Sequence, residues 1–583
     1  MSQGPPKPRF SLTVGIIGHR PNRLPLDVVE QVTAQMATAL QAISKSATDG
    51  QRRYADCFSP SLAKLSSVTS LAEGADRIGA STSLALGFEL IVIMPFLRAE
   101  YEKDFQEEAS KSEFRALCAS AASVLEIAGD RAPKGVAYEH SGQSVIDASD
   151  ILIAVWDGKE SAGRGGTTDL LQEAAQKGMP VIRIDTLPDA PMRVHWRDPG
   201  GRRGHQAYYD EEFGQAASGQ LDSLIDTVID NLVRPPRSSA EQLGMQVFRG
   251  QRFRRLNLNA PFPLLLALLG IRRPRITDFI RKQPDQTAAE LAAAGGYPLN
   301  LAEGFVWSDE CAIYYGQAFR GAFILNFLVS ALVTILVALE FRPPASAIEI
   351  GLVIFLVINT SRGRKGRWHE LWIEAREVAE RLRVAMLIHI VGSRPELPFG
   401  DAPAWTSWYV RAMVREAGLR HAVLDPKALE ALQQEIISLL RDQRAYHQAT
   451  ARRFKALHDR LAGVGKWLFY FTLSISVTAF LLAWFVVDDM PHDVKRWIFV
   501  FSAGLPALGA ASYGVRVIGA FDGTAARSSR MVVQLEGLIR GLTSSAPSFE
   551  SLRDTVHRAA EILQGDVASW RLVVESRELD MPG

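Results

Sequence analysis

"IAVWDGKESAGRGGTTDLLQEAAQKGMPVIRI", Ile153 to Ile184, is the stretch from which the fold can be read. "IAVW" continues an apolar run from Ile151 and reads as a buried strand. Asp157 and Gly158 turn the chain, the glycine-rich stretch 163–166 opens a helix, and "MPVIRI" reads as a second strand. Two buried strands joined through a helix need a crossover connection, which makes them parallel. The alternation extends upstream. "LTVGIIGHR" (Leu12–Arg20) reads as a strand running into a glycine turn. "SSVTSLAEGADRIGASTSLALG" reads as a strand, a turn at Glu73–Gly74 and a helix. "ELIVIMPF" is a strand closed by Pro95, and "SVLEIAG" is a fourth, followed by a helix around Gly142–Ala148. Strands separated by helical stretches predict an α/β, Rossmann-like domain over residues 1–235, with a parallel sheet and helices on both faces.

Ligands of such sheets bind outside the carboxyl ends of the strands, so the candidate residues are those that follow each strand. Gly18, His19 and Arg20 follow the first, where a backbone turn and a cation suit a phosphate. Glu73, Gly74 and Asp76 follow the second, offering a carboxylate to a ribose hydroxyl. Asp157 and Gly158 follow "AVW". Gly165, Gly166, Thr167 and Thr168 open the next helix with free amides and a dipole that favours an anion. Taken singly, each glycine also reads as no more than a tight βα turn. Their joint placement at one end of the sheet favours a nucleotide-type ligand. No GxxxxGK[ST] occurs, and no GxGxxG follows the first strand. "WHELW" at Trp368–Trp372 lacks the second histidine of a zinc site, and no GxSxG or cysteine–histidine pair stands out. No metal and no cofactor is expected.

A chain of 583 residues predicts several domains. Its net charge of +1 argues against a nucleic-acid partner. Cys57, Cys118 and Cys311 are scattered, which fits a reducing cytoplasm. "MSQGPPKPRFS" has no apolar h-region, so no cleaved signal peptide is expected.

Four apolar runs follow. Gly321–Leu339 is nineteen residues without a charge, about 28 Å as a helix and close to the bilayer hydrocarbon. Trp467–Val487 is equally apolar, Trp497–Phe521 contains Arg516, and Ala345–Thr360 is short and carries Glu349. They pair as two hairpins. The second run ends in "SRGRKGRWH" and the fourth is followed by "DGTAARSSR", whereas the connectors "EFRPPASAIE" and "DDMPHDVKRW" are more acidic. Basic flanks favour the cytoplasm, so both termini and residues 361–466 are expected there. Trp467, Trp484 and Trp497 sit at run ends, where an aromatic belt belongs. Glu340, Glu349, Asp488 and Asp489 fall at the outer connectors and form a candidate pore rim for cations. Ordinary solvated loop charge is the alternative for each. Segment 361–466 reads as amphipathic helix throughout, and "NAPFPLLLALLG" (Asn259–Gly270) is too short to span.

"SLAEGADRIGASTSLALGFELIVIMPFLRAEYEKDF" (Ser70–Phe105) and "SDILIAVWDGKESAGRGGTTDLLQEAAQKGMPVIRID" (Ser149–Asp185) resemble the SLOG superfamily over about residues 10–190. That group includes nucleoside-processing enzymes and nucleotide-sensing domains. Enzymatic members carry PGGxGT and a catalytic glutamate shortly after it. Here "GRGGTTDLLQEA" lacks the proline and the spacing, and Asp169 and Glu173 are displaced. The departure argues for binding over hydrolysis. "RWHELWIEAREVAERLR", "QRAYHQATARRFKALH" and "LPALGAASYGVRVIGAFDGTAARSSR" are similar to SLATT-type four-helix membrane modules. The two resemblances imply a bacterial inner-membrane effector of anti-phage defence. It would respond to a nucleotide second messenger, ADP-ribose-like or cyclic, and work as a homo-oligomer in the lipid bilayer. A membrane-tethered nucleotide or NAD glycohydrolase, with Glu73 as its carboxylate, is the enzymatic alternative. A non-catalytic membrane scaffold is the third.

The resulting division is a SLOG-like domain at 1–235, linker and coupling helices at 236–318, a first transmembrane hairpin at 319–361 and a cytosolic helical domain at 362–466. A second hairpin at 467–521 and cytosolic C-terminal helices at 522–583 complete it.

Overall fold

Strand β1 (Ser11–Gly18) is buried along nearly its whole length, Leu12, Val14 and Ile16 on one face and Thr13, Gly15 and Ile17 on the other all being shielded from water. The computed structural model describes residues 4–133, 135–160, 163–195, 221–339, 343–394, 403–485 and 491–575. After β1 come α1 (Val29–Arg53), β2 (Lys64–Thr69), α2 (Ala75–Ala85), β3 (Glu89–Met94), the one-turn α3 (Arg98–Tyr101), α4 (Glu108–Ser120) and β4 (Ser123–Ile127). The chain continues through α5 (Val136–Asp147), β5 (Ile151–Trp156), α6 (Thr167–Gln176), β6 (Val181–Asp185) and β7 (Arg193–His195).

The sheet order is β7-β6-β5-β1-β2-β3-β4-β8. From β1 the chain winds outward through β2, β3 and β4, then returns to the other side of β1 as β5. Two features differ from the sequence reading. The sheet is mixed, since β7 runs antiparallel to β6. Segment 361–466 is also not wholly helical, because β8 (Ala422–Leu424) pairs in parallel with β4. Three residues are too few to show a strand period, and it is the open edge of β4 that recruits them.

Helices α7 (Leu221–Val233), α8 (Ser239–Arg249), α9 (Pro261–Leu268) and α10 (Pro284–Gly295) lead into α11 (Leu299–Ala338). The C-terminal half is built from α12 (Pro343–Lys365), α13 (Trp368–His389), α14 (Ala404–Ala417), α15 (Pro426–Phe485), α16 (His492–Gly519), α17 (Phe521–Ser544) and α18 (Phe549–Glu575). On one sheet face Phe10, Val14 and Ile16 share a core with Met36 of α1, Ile225 of α7 and Met413 of α14. On the other, Val68, Ile91 and Leu152 share a core with Ile436 of α15, Leu535 of α17 and Val556 of α18. Both faces of the sheet are therefore covered in part by helices from the far end of the chain.

One buried charge ties these layers together. Asp150, just before β5, accepts from the Thr13 amide (2.9 Å) and from Arg415 Nε (2.8 Å), with Arg394 at 3.5 Å. Burial pushes its pKa up, but Arg415 and Arg394 overcome that and hold the carboxyl below its usual range.

Four helical stretches are long and apolar enough to cross a membrane: Leu299–Ala338, Ser346–His389, Pro426–Phe485 and His492–Ser544. At 1.5 Å per residue, α11 extends about 60 Å and α15 about 90 Å, so each apolar run continues without a break into a polar helical stem. The apolar window of α15 is 0% buried inside the chain, and Trp467, Phe480 and Trp484 are exposed along it. A continuous exposed apolar surface of this extent calls for lipid or a partner to cover it. Between α11 and α12, Asn326 donates to Thr360 (2.9 Å) and accepts from Asn359 (2.8 Å), the interhelical polar contact expected where water is absent. Thr334 instead bonds Ser330 of its own helix. Glu349 lies on α12, half-buried, whereas Glu340, Asp488 and Asp489 fall outside the described residues. In α9, Phe262 and Leu266 are buried while Leu264 and Leu268 are exposed.

Asp150→Ala leaves two guanidiniums buried without their carboxylate. It is expected to destabilise the chain by about 3–5 kcal/mol, measured as a lowered thermal midpoint of the full-length protein in detergent. A fragment ending at residue 235 lacks β8 and much of both cores. It is expected to bind a hydrophobic dye and to unfold without a sharp transition, and a cooperative melt would show that the sheet stands alone.

Candidate functional site

The point at which the winding reverses, between β1 and β5, leaves a crevice at the carboxyl ends of the strands. A cleft of about 530 Å³ occupies it, walled by Gly18–Arg20, Ser70, Asp76, Tyr138, Ser141 and the 163–167 loop. That volume suits a small-molecule ligand. Two glycines let the walls close. Gly74 has φ +96°, and a Cβ there would lie 2.5 Å from the His19 carbonyl. Gly165 has φ +75°, and its Cβ would lie 2.6 Å from the Glu139 amide nitrogen. A side chain at either position meets backbone that cannot move aside.

His19 and Asp157 come together beside the cleft. His19 Nε2 lies 2.9 Å from Asp157 Oδ1 and 3.1 Å from the Asp157 amide nitrogen. Arg23 grips the same carboxylate in a fork, Nε to Oδ2 at 3.0 Å and Nη2 to Oδ1 at 2.7 Å. Burial raises the Asp157 pKa, but hydrogen bonds from the Lys159 amide, Arg23 and His19 outweigh it and bring it down to about 2. Burial lowers the pKa of His19 more than Asp157 raises it, so the ring is neutral at pH 7. Asp157 is thus a brace that orients His19 and Arg23, not a free acceptor for a ribose.

The helix-opening residues divide. Thr167, first residue of α6, lines the cleft with its hydroxyl 3.5 Å from His19 Nδ1. Thr168 turns away, donating to the Lys159 carbonyl (2.8 Å) and accepting from Trp156 Nε1 (2.9 Å). The Gly165 amide is already bonded to Asp169 (3.1 Å) and that of Gly166 to the Gly163 carbonyl (3.2 Å). The next amides, those of the first turn of α6, have no acceptor within the helix, and that turn begins at Thr167 in the cleft wall. Gly158, with φ +79°, borders Arg183 and does not line the cleft.

The two acids of the β2 turn part company. Glu73 accepts from Ser110 on α4 and does not line the cleft. Asp76 does line it, fully buried, accepting from the Ala72 amide (3.3 Å). Burial raises its pKa to about 6, against hydrogen bonds from Thr69 and Ala72. Arg20 stands at the rim, half-exposed, over the Tyr138 ring (5.3 Å) and 3.8 Å from Asp104.

Arg23, Tyr138, Ser141 and Arg164 were not among the sequence candidates. Gly135, with φ +94°, precedes α5 as the 163–166 glycines precede α6, so a glycine-opened helix was a signal available for Tyr138. Among the described residues no cluster of His, Cys, Asp and Glu is arranged to hold a metal. No known family model matches the chain, and a search of curated proteins finds no significant relative.

Asp76 supplies a pH test. Its carboxyl is neutral more readily when folded (about 6) than at the ordinary 3.8. The stability it contributes is therefore full below about pH 4 and lost as the pH rises through 6. Asp76→Asn stays neutral throughout. Relative to the parent it should gain about 3 kcal/mol between pH 4 and pH 7, seen by thermal unfolding across that range. A pH-independent difference would place the carboxyl in water.

Proposed function

We propose that the chain is a ligand-gated membrane effector. In this reading a nucleotide-type anion binds at the reversal cleft, through the first-turn amides of α6, Thr167 and Arg20. The apolar runs of α11, α12, α15 and α16 cross the membrane, with both termini cytoplasmic. The resemblance to SLOG and SLATT modules supplies the setting, bacterial anti-phage defence.

The observation that carries the reading is the double duty of α5 and α6. Their N-terminal ends line the cleft. Their buried faces, Val145 and Ile146 of α5 and Leu170 and Leu171 of α6, share one core with α15, α17 and α18. Asp147 at the end of α5 also accepts from Arg553 of α18 (2.7 Å). A ligand that draws the two N-termini together therefore acts on the helices that stem the membrane runs. It shifts them only as far as it prefers one arrangement, and a hundredfold preference supplies about 2.7 kcal/mol. Four helices from one chain enclose little space, so several copies assemble. In such a ring, acidic outer connectors would favour cations.

A glycohydrolase is the second reading, and one observation favours it: the buried Asp76 carboxyl, whose raised pKa suits acid–base chemistry near neutral pH. The acid in question is then Asp76 in place of Glu73.

Full-length protein in nanodiscs, offered ADP-ribose, NAD and cyclic dinucleotides, separates the readings. A receptor shows stabilisation by one class without turnover, together with ligand-dependent ion flux in liposomes. Arg20→Ala should weaken affinity about tenfold, or about 1.4 kcal/mol, and Gly166→Trp should abolish it. Turnover that Asp76→Asn removes while binding persists would make the protein an enzyme. No response from any of the three classes would refute both.

A further inference from the structure

A second cavity, of about 300 Å³, lies among α9, α11, α13, α15, α17 and α18, where the apolar runs meet their polar stems. Five arginines and three carboxylates line it, leaving two positive charges in excess. The carboxylates are taken. Asp278 is held by Arg272 (2.7 Å), and Glu380 by Arg376 and Arg383 (2.7 Å to the latter). Asp566 lies 3.3 Å from Arg527, whose Nε and Nη1 are nonetheless buried without a hydrogen-bond partner.

Arg320 and Arg453 have no carboxylate. Arg320, immediately before the first apolar run, makes neither an ion pair nor a hydrogen bond among the described residues. It lies instead over the rings of Trp372 (4.7 Å), Phe262 (5.2 Å) and Phe454 (5.8 Å). Arg453 lies over Phe454 (5.2 Å), with its Nε buried and unpartnered. Aromatic faces offset part of the cost of a sequestered guanidinium but leave its N–H donors unused. Like charges gathered in a partly closed space repel one another unless an anion joins them.

We propose that this cavity is an anion site for a phosphate group, separate from the reversal cleft, with Arg320, Arg453 and Arg527 as its donors. Guanidinium forks match phosphate oxygens better than any other side chain. The apolar wall from Phe262 and Leu266, on a helix whose Leu264 and Leu268 face outward, suits a phosphate that carries an apolar tail. The phosphate is either free or the headgroup of an anionic phospholipid.

The experiment uses the full-length protein in neutral detergent. Thermal stability is followed with inorganic phosphate against chloride at equal ionic strength. In parallel, native mass spectrometry follows retention of phosphatidylglycerol against phosphatidylcholine. Stabilisation by inorganic phosphate supports the site with a free anion as its occupant. Selective retention of phosphatidylglycerol supports it with a lipid headgroup. In either case Arg320→Gln and Arg453→Gln should weaken the effect at least tenfold, and the surface variant Lys495→Gln should leave it unchanged. Arg320→Lys, which keeps the charge and loses the fork, serves if the glutamine variant does not fold. Gly166→Trp should retain the response, which separates this cavity from the reversal cleft. Absence of both responses, or responses equal in parent and arginine variants, overturns the proposal.

Discussion

An eight-stranded, mostly parallel sheet has two apolar faces, and the rest of the molecule follows from the need to cover both. Its own crossover helices do part of this, as α1 does on one side, joined there by α7. The remainder falls to helices that arrive from the C-terminal half, α14 on one face and α15, α17 and α18 on the other. At about 25 cal/mol per Å² of apolar surface removed from water, no exposed edge contact competes with this closure. The sheet and the membrane-length helices consequently belong to one packed structure.

Electrostatics reinforces the same closure. Asp150 is reached by Arg394 and Arg415 from segments more than two hundred residues downstream, and Asp147 is reached by Arg553 from α18. Such buried pairs contribute little net stability against an apolar alternative. Their loss is nonetheless costly once formed, which makes them guardians of register between layers. At the cleft the same pairing consumes much of the charge. Asp157 is spent on Arg23 and His19, while Arg20 (46%) and Arg164 (59%) keep substantial exposure at the rim, where the proposed anion would meet them.

Much of the front domain was legible because buried parallel strands are written as short apolar runs bounded by glycine and proline. β1, β3, β4, β5 and β6 fall on such runs. The cleft was legible in outline, since strand ends and a glycine-opened helix mark the crevice of a reversing sheet. Its membership was less so. Thr167 and Thr168 are neighbours in sequence but about 100° apart around the helix, and only the first faces the cleft. Glu73 and Asp76 share one turn, yet the backbone sends the first toward Ser110 and the second into the pocket.

The sequence by itself determined the local terms: strand and helix periods, the length and apolarity of four helices, and the basic flanks of the second and fourth runs. These depend on neighbours within a few residues, and a linear reading sees them. Tertiary structure alone decided which amphipathic face meets which, that residues 422–424 complete the sheet, and that Arg320 and Arg453 share a cavity without a counter-charge. An apolar stripe states that it must be buried but does not name its partner. A lone arginine looks the same in sequence whether its carboxylate is present or missing, because pairing is a property of distance in space.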